Sequence, residues 1–192
     1  VLLPEIRGPR RKLHAAEADG RPSASGTDDD VRPVAPQVLR DEIPETLLLL
    51  EHPPVVTLGV GAPESDVLVP PAELARRGVE VARARRGGNA TVHGPGQVVA
   101  YPIVRLDPPG ALRAHLDALV AAAIDALARF GVEAEADRPL PGVRVAGAKI
   151  GFVGVRVTRG VAWHGLSLNV DCDLDPFSWI VPCARPGDRI TS

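Results

Sequence analysis

The chain has 192 residues and a formal net charge of −2, with 45% hydrophobic and only 3% aromatic residues. This length allows one domain with its own core, and the near-neutral charge argues against a global field that selects nucleic acid or a membrane surface. The most apolar helical candidate is interrupted by Asp117, Asp125 and Arg129, which excludes a bilayer-spanning helix there.

Residues 1–41 are predicted to form an irregular segment with a tendency to disorder. Five prolines and two short charge runs of opposite sign punctuate it, so it offers little apolar surface to bury. Only Leu13–Ala18 has the composition for one or two helical turns. Residues 42–192 are predicted to form a single folded domain.

This domain begins with short apolar runs that predict strands. Thr46–Glu51 and Val55–Leu58 are two such runs, and the prolines after His52 turn the chain between them. His52 is therefore interpreted as a structural turn residue. Pro70–Arg77 predicts a short helix that stops at Gly78, and Val79–Ala84 predicts the next strand.

A glycine-rich stretch, Arg86–Gln97, follows this strand and precedes another predicted strand, Val98–Ile103. Four glycines and one proline predict a long loop here, and glycine allows the backbone to approach a ligand closely. The same loop carries a dense polar set. From these residues alone, the stretch is either a structural turn with solvated side chains or a binding loop.

The second half predicts one long helix and an antiparallel meander. Ala111–Phe130 carries an apolar stripe at helical spacing, formed by Leu112, Leu116, Leu119, Ala123, Leu127 and Phe130. A short alternating strand at Val132–Ala136 follows the helix. The meander strands are predicted at Val143–Val145, Ile150–Thr158 and Val161–Val170. This pattern favours an α+β fold with mixed, largely antiparallel sheets and flanking helices.

Two side chains in this half are candidates for chemistry. Lys149 lies in an otherwise apolar segment, so it either extends to solvent or has a buried partner. Cys183 is either a small buried hydrophobe or a nucleophile. A disulfide with Cys172 requires an oxidising compartment, whereas the absence of a recognisable signal peptide favours reduced thiols in the cytoplasm. A zinc site with His93 and His164 lacks the usual ligand spacing, so no metal is predicted.

Five segments of residues 42–192 follow one another in the order of a known family. They read L-L-E-H-P-P-V, R-G-G-N-A-T-V-H-G-P-G-Q, G-A-K-I-G-F-V-G-V-R-V, W-H-G-L-S-L-N-V and D-P-F-S-W-I-V-P-C. Together they resemble the lipoyl(octanoyl) transferase family of lipoate biosynthesis. The resemblance implies a mixed sheet fold similar to the catalytic domain of biotin and lipoate protein ligases.

The resemblance also implies the roles of individual residues. Cys183 matches the acyl-accepting cysteine, and Lys149 matches its lysine partner in a catalytic pair that needs no cofactor and no metal. The substrate-binding segments match Arg86, Gly87, Gly88, Asn89, Ala90, Thr91, Val92 and His93, then Phe152, Val153 and Gly154, and finally Gly165, Leu166 and Ser167.

The implied reaction moves an octanoyl group from octanoyl-acyl carrier protein, through a cysteine thioester, to a lysine of a lipoyl carrier domain. The implied acceptors are the lipoyl domains of 2-oxoacid dehydrogenases and the glycine cleavage H protein, with no role for nucleic acid or membrane. Arg83, Arg85 and Arg86 stand together at the loop entrance and are expected to meet the acidic carrier protein.

This chain departs from the family pattern at several positions. Ala184 follows the cysteine where the family has glycine, Val92 replaces an aromatic residue, and Arg144 stands where the family has tryptophan. Family members continue beyond a dipeptide like Thr191-Ser192, so this chain is expected to be truncated at its C-terminus. Three alternatives remain open: an ATP-dependent lipoate or biotin ligase-like enzyme, an inactive carrier-binding relative, and a thioesterase.

Overall fold

The computed structural model describes residues 14–17, 31–108, 111–138, 140–183 and 185–192. Its helices are α1 (Val34–Leu39), α2 (Pro71–Arg76) and α3 (Leu112–Ala128), with two 3-10 turns at Glu64–Asp66 and Asp175–Trp179. Its strands are β1 (His14–Glu17), β2 (Thr46–Leu50), β3 (Val55–Leu58), β4 (Glu80–Arg83), β5 (Ala90–His93), β6 (Gln97–Arg105), β7 (Glu135–Ala136), β8 (Gly142–Val145), β9 (Ala148–Thr158) and β10 (Val161–Asn169).

The strands form two sheets. The larger sheet has seven strands in the order β1-β2-β6-β10-β9-β8-β7, and the smaller has three in the order β4-β3-β5. Each sheet contains one parallel pair, β1 with β2 and β3 with β4, and every other pairing is antiparallel. The predicted α+β fold with largely antiparallel sheets is therefore confirmed.

Three apolar clusters hold these layers together. One lies around the smaller sheet and includes Val56, Val92 and Phe152, so it joins that sheet to β9. A second lies between α1 and the larger sheet, and a third lies beneath α3 against β8 and β9. The first cluster matters most for the site because it fixes the small sheet beside the middle of the large one.

Part of the segment predicted to be irregular has regular structure. His14–Glu17 is a strand that pairs with β2, whereas a helical turn was expected there. Val38 of α1 is buried in the same cluster as Leu48 of β2. A boundary after residue 41 therefore divides a packed unit. Residues 1–13 and 18–30 lie outside the described residues.

The long helix was predicted well, and its apolar stripe was correct at Ala123 and Leu127 but not at Phe130. Helix α3 buries Val120, Ala123 and Leu127 against the sheet. Phe130, placed in the predicted stripe, is 85% exposed. The helix ends at Ala128, and Gly131 adopts a positive φ of 78°, so Phe130 no longer follows the helical spacing.

The glycine-rich stretch was predicted as one continuous loop, and this was wrong. It contains strand β5, which pairs antiparallel with β3 so that Thr91 lies opposite Thr57 and His93 opposite Val55. The strand has only four residues and glycines lie on both sides, so no alternating pattern of useful length is visible in the sequence. Strand β5 is an edge strand of the smaller sheet and carries polar residues of the site.

Candidate active site

A cleft lies where the smaller sheet meets the larger one. It has an empty volume of about 430 Å³, part of it open to solvent. Backbone from the glycine-rich segment forms one wall, and strands β6, β9 and β10 form the other. Its lining residues are Arg86, Gly87, Gly88, Asn89, Ala90, Thr91, His93, Val99, Tyr101, Phe152, Val153, Gly154, Gly165, Leu166, Ser167 and Cys183.

Arg86 holds the segment before β5 in its shape. Its Nη1 donates hydrogen bonds to the carbonyl oxygens of Gly87 at 3.1 Å and Asn89 at 2.9 Å. Its Nη2 donates to the carbonyl oxygen and the hydroxyl of Thr57 at 2.8 and 2.7 Å. A planar guanidinium presents several donors at fixed angles, so one side chain fixes the loop to itself and to β3.

Glycine at position 154 allows this loop to lie directly on β9. The Gly87 amide donates to the carbonyl oxygen of Val155 at 3.0 Å. A Cβ atom at position 154 would stand 2.9 Å from the Gly87 carbonyl oxygen and 3.1 Å from Cδ of Arg86. The close approach that forms the cleft wall therefore requires glycine there.

Cys183 enters the cleft from a tight turn. Its amide donates to the carbonyl oxygen of Ala90 at 3.2 Å, and the Arg185 amide closes the turn on Pro182 at 2.9 Å. The residue is half-buried and has a φ of 53°, in the left-handed region that non-glycine residues rarely adopt. Strained backbone of this kind concentrates at functional sites.

Lys149 lies behind the cleft wall and is absent from the cleft lining. Only 1% of its surface is exposed, and its Nζ donates to Oδ2 of Asp137 at 2.9 Å. The same Nζ lies 5.4 Å from the ring centroid of Phe152, which lines the cleft. Lys149 was expected either to extend to solvent or to have a buried partner, and the structure gives it a buried partner.

Asp137 accepts hydrogen bonds from three cations. Besides Lys149, its carboxylate accepts from Arg144 at 2.8 Å and from Arg185 at 3.1 Å. Burial alone would raise the pKa of Asp137, but the hydrogen bonds from Arg144, Lys149 and Arg185 outweigh it and lower that pKa to about 2. Asp137 is therefore ionised throughout the neutral pH range.

The hydrogen bonds behind His93 determine its tautomer. Nδ2 of Asn169 donates to the Thr191 carbonyl at 2.9 Å, so its Oδ1 accepts from Nε2 of Gln97 at 2.8 Å. Nε2 of Gln97 also donates to the Val92 carbonyl at 3.2 Å. Oε1 of Gln97 therefore faces Nδ1 of His93, 2.6 Å away, and that nitrogen carries the proton.

The second ring nitrogen of His93 is consequently an unprotonated acceptor. His93 is 4% exposed and lines the cleft, and its Nε2 has no hydrogen-bond partner within the described part of the chain. Burial, followed by the charges of His52 and Arg86, lowers the pKa of His93 well below its usual value. The cleft thus contains a neutral imidazole that can accept a hydrogen bond from a bound molecule.

A second buried histidine supports the first. His52 is 1% exposed, its Nε2 lies 2.9 Å from the Tyr101 hydroxyl, and its ring centroid lies 5.3 Å from that of His93. Burial, with a smaller contribution from His164, lowers the pKa of His52 to about 4. The interpretation of His52 as a turn residue missed this contact with Tyr101.

The structure brings most of the sequence-predicted site residues together. Among the sixteen predicted residues, Val92 and Lys149 do not line the cleft: Val92 points into the apolar core, as expected from strand alternation, and Lys149 lies behind the wall. Val99, Tyr101 and Asp137 belong to the site or its support and were missed. Residues in ordinary apolar runs, or beside prolines, give no local signal of such a role.

The predicted basic patch at the loop entrance does not form as expected. Arg86 is 7% exposed and bonds to backbone, and Arg83 pairs with Glu64 at 3.0 Å. Arg85 is exposed at the surface.

Both cysteines are free thiols. In the described ranges, no helix is long and apolar enough to cross a membrane.

Comparison with known proteins places these features in context. The model of the lipoyl protein ligase A/B catalytic domain matches residues 34–192. An octanoyltransferase of Chloroflexus aurantiacus is 46% identical over 168 residues, which cover 85% of this chain and 75% of the relative. An octanoyltransferase of Gloeobacter violaceus is 46% identical over 153 residues, covering 78% of this chain and 66% of the relative.

Solved structures show a similar fold at low sequence identity. A lipoate-protein ligase A bound with ATP matches with a TM-score of 0.72 and 18% identity, covering 96% of this chain and 76% of that one. A putative lipoate protein ligase from T. acidophilum matches with a TM-score of 0.68 and 16% identity, covering 94% and 75% respectively. These likenesses concern the fold alone.

Proposed function

The chain belongs to the lipoyl protein ligase A/B catalytic domain family, and on this premise we propose that it is an octanoyltransferase of lipoate biosynthesis. In this proposal it acts in the cytoplasm, takes an octanoyl group from octanoyl-acyl carrier protein and passes it through a Cys183 thioester to a lysine of a lipoyl domain. The acceptors are the lipoyl domains of 2-oxoacid dehydrogenases and the glycine cleavage H protein.

The observation that carries the proposal is the position of Cys183. A thiol on a residue with left-handed backbone, at the edge of a cleft with glycine and apolar side chains in its lining, suits attack on an acyl thioester. Phe152, Val153 and Leu166 offer apolar contacts to an acyl chain, and the glycines allow the thioester group to approach the backbone. The unprotonated Nε2 of His93 adds a hydrogen-bond acceptor.

The first half-reaction forms the acyl-enzyme. In the proposed step Cys183 reacts as its thiolate, because the thiolate and not the thiol is the nucleophile, and Lys149 is the proton donor. The thiolate attacks the carbonyl carbon of the carrier thioester, a new C–S bond forms, and the bond to the carrier sulfur breaks. The departing carrier thiolate takes a proton from Lys149, so the step ends with an acylated Cys183 and a neutral Lys149.

The second half-reaction restores the starting state. The amine of the acceptor lysine attacks the Cys183 thioester, and Lys149 takes the proton that the nitrogen must lose. The C–N bond forms, the Cys183 thiolate leaves, and the ammonium–thiolate pair is regenerated. An amide is more stable than the thioester from which it forms, so the proposed cycle needs no ATP.

Backbone amides can stabilise the oxyanion in both steps, and the structure narrows the choice. Gly87, Gly88 and Gly165 line the cleft and carry the candidate amides. The Gly87 amide donates to Val155, and the Cys183 amide donates to Ala90. Gly165 lies within the paired strand β10, so the proposal keeps the Gly88 amide as the donor.

The test is an incubation with octanoyl-acyl carrier protein in the absence of ATP, followed by intact mass measurement. We expect a hydroxylamine-sensitive octanoyl adduct on the parent and on the matched Cys172→Ser control, and none on Cys183→Ala. Addition of a lipoyl domain should then move the octanoyl group to the domain. A folded parent without an adduct would contradict the proposal.

One alternative has a specific observation in its favour, since the family model that matches describes a lipoyl protein ligase A/B catalytic domain. An ATP-dependent ligase would form an acyl adenylate from free octanoate and would transfer the acyl group without Cys183. Transfer by Cys183→Ala in the presence of ATP and octanoate would favour the ligase. Release of free octanoate as the only product would instead indicate a thioesterase. Binding of the acyl carrier protein without acylation of the enzyme would indicate an inactive relative.

A further inference from the structure

Five charged side chains among the described residues form a connected cluster behind the cleft. Asp137 bonds to Lys149, Arg144 and Arg185, while Asp188 bonds to Arg144 at 2.7 Å and lies 3.9 Å from Arg185. The two carboxylates and three cations come from β8, β9, the connection between β7 and β8, and the segment after Cys183. The proton-transfer scheme above assigns a role to Lys149 alone.

Asp137 is the most deeply enclosed carboxylate of this cluster. Its side chain is 2% exposed and that of Lys149 is 1% exposed, whereas Arg185 is 28% exposed. A buried ion pair is costly to break from one side, because the remaining charge then lacks both water and a partner. Asp137 is therefore the group that compensates the buried positive charge of Lys149, and among the described residues no solvent-facing side chain takes this role.

Asp137 also reaches the segment that carries the nucleophile. Arg185 follows Cys183 by two residues, and its amide closes the turn around Cys183 by donating to Pro182 at 2.9 Å. The guanidinium of the same Arg185 donates to Asp137 at 3.1 Å. One carboxylate thus binds both the lysine of β9 and the turn of the cysteine.

We propose that Asp137 is a positioning residue for the Cys183–Lys149 pair, holding the Lys149 ammonium directly and the Cys183 turn through Arg185. This inference rests on the proposed function of that pair. Arg144, which departs from the family pattern, supplies a second cation that orients the Asp137 carboxylate through a fork of hydrogen bonds shared with Asp188.

The chemical consequence concerns the charge of Lys149. With Asp137 ionised, the buried Lys149 ammonium has a counter-ion at 2.9 Å. An asparagine of nearly the same shape removes the counter-ion, and burial then disfavours the ammonium. In the proposed pair Cys183 then lacks the support of the Lys149 ammonium, and its alkylation at neutral pH slows.

The test measures the alkylation rate of Cys183 by iodoacetamide as a function of pH, with Cys172→Ser as the background in every variant. We expect Asp137→Asn to move the midpoint of the profile up by about one pH unit, which slows alkylation near neutral pH by about tenfold. The matched control is Asp188→Asn, which alters the same cluster without touching Lys149. The midpoint of the alkylation profile of Asp188→Asn should equal that of the parent.

Two outcomes would overturn the inference: a folded Asp137→Asn variant with the profile of the parent, or an equal shift in Asp188→Asn. Should Asp137→Asn fail to fold by circular dichroism, Arg185→Gln replaces it, because that side chain is less buried, and its midpoint should also rise. An unchanged midpoint in Arg185→Gln would then reject the link to the cysteine turn.

Alkylation requires no octanoyl donor, so this inference and the proposed function can fail separately. A parent that shows the predicted alkylation profiles but forms no octanoyl adduct would contradict the proposed reaction only. A parent that forms the adduct while Asp137→Asn keeps the parental profile would contradict the role of Asp137 only.

Discussion

The buried histidines predict a loss of stability in mild acid. His52 is neutral in the folded state because burial, and to a lesser degree His164, lower its pKa from 6.5 to about 4. The unfolded chain binds a proton on this imidazole below pH 6.5, whereas the folded protein does so only near pH 4. Stability from His52 is therefore fully present above pH 6.5 and is lost as the pH falls toward 4.

The size of the effect follows from these two values. Between pH 8 and pH 5, proton uptake by His52 in the unfolded state lowers the free energy of unfolding by about 2 kcal/mol. His93 acts in the same direction because its pKa is also lowered. Asp137 adds nothing in this range, since its pKa of about 2 and its ordinary value of 3.8 both lie below pH 5.

The assay is urea unfolding at pH 8 and pH 5 for the parent and for His52→Gln. Glutamine retains a group that can bond to the Tyr101 hydroxyl but does not titrate. The loss of stability between the two pH values should be about 2 kcal/mol smaller in the variant than in the parent. An equal loss in both proteins would refute the conclusion that His52 is neutral in the folded state.

Two further predictions concern the cleft wall. Arg86→Lys removes the fork that bonds to Thr57, Gly87 and Asn89, and because an ammonium cannot reach all three, we expect unfolding free energy to fall by about 2–3 kcal/mol. A urea midpoint equal to that of the parent would contradict the interpretation that the hydrogen bonds of Arg86 hold the loop in shape. Gly154→Ala places a methyl group against backbone, so we expect Cys183 acylation to slow by about tenfold with a stability loss of about 1–3 kcal/mol. Gly94→Ala is the matched control, because a Cβ atom there meets nothing within 4 Å, and equal acylation rates in the two variants would disprove the steric argument.

The sequence predicted those parts of the fold that have strong local patterns. Val55–Leu58 forms a strand with the predicted bounds, and Val161–Val170 is correct to one residue. These runs are apolar and end at turn residues, so local preference and tertiary packing agree. The extent of α3 was predicted to within two residues at its C-terminal end, whereas its buried face depends on where the helix ends relative to the sheet.

The parts of the site that the sequence missed depend on contacts between distant residues. Asp137 follows a two-residue strand, and nothing in its neighbourhood indicates that it meets a lysine twelve positions further on. Tyr101 lies in an ordinary strand and gains its place in the cleft from pairing with Leu48. Spacing reveals which side chains share a face of one element, but not which elements a sheet brings together.

At the left-handed backbone position of Cys183, the residue that favours folding stability differs from the residue that the proposed reaction requires. Glycine would occupy a φ of 53° without the crowding that a Cβ atom introduces, which is worth about 1 kcal/mol, partly offset by the greater freedom of unfolded glycine. A Cys183→Gly chain should therefore be at least as stable as Cys183→Ala, although neither retains the thiol. Selection for stability alone would favour loss of the side chain at this position, so in the proposed reaction the nucleophile is a feature that only selection for activity maintains.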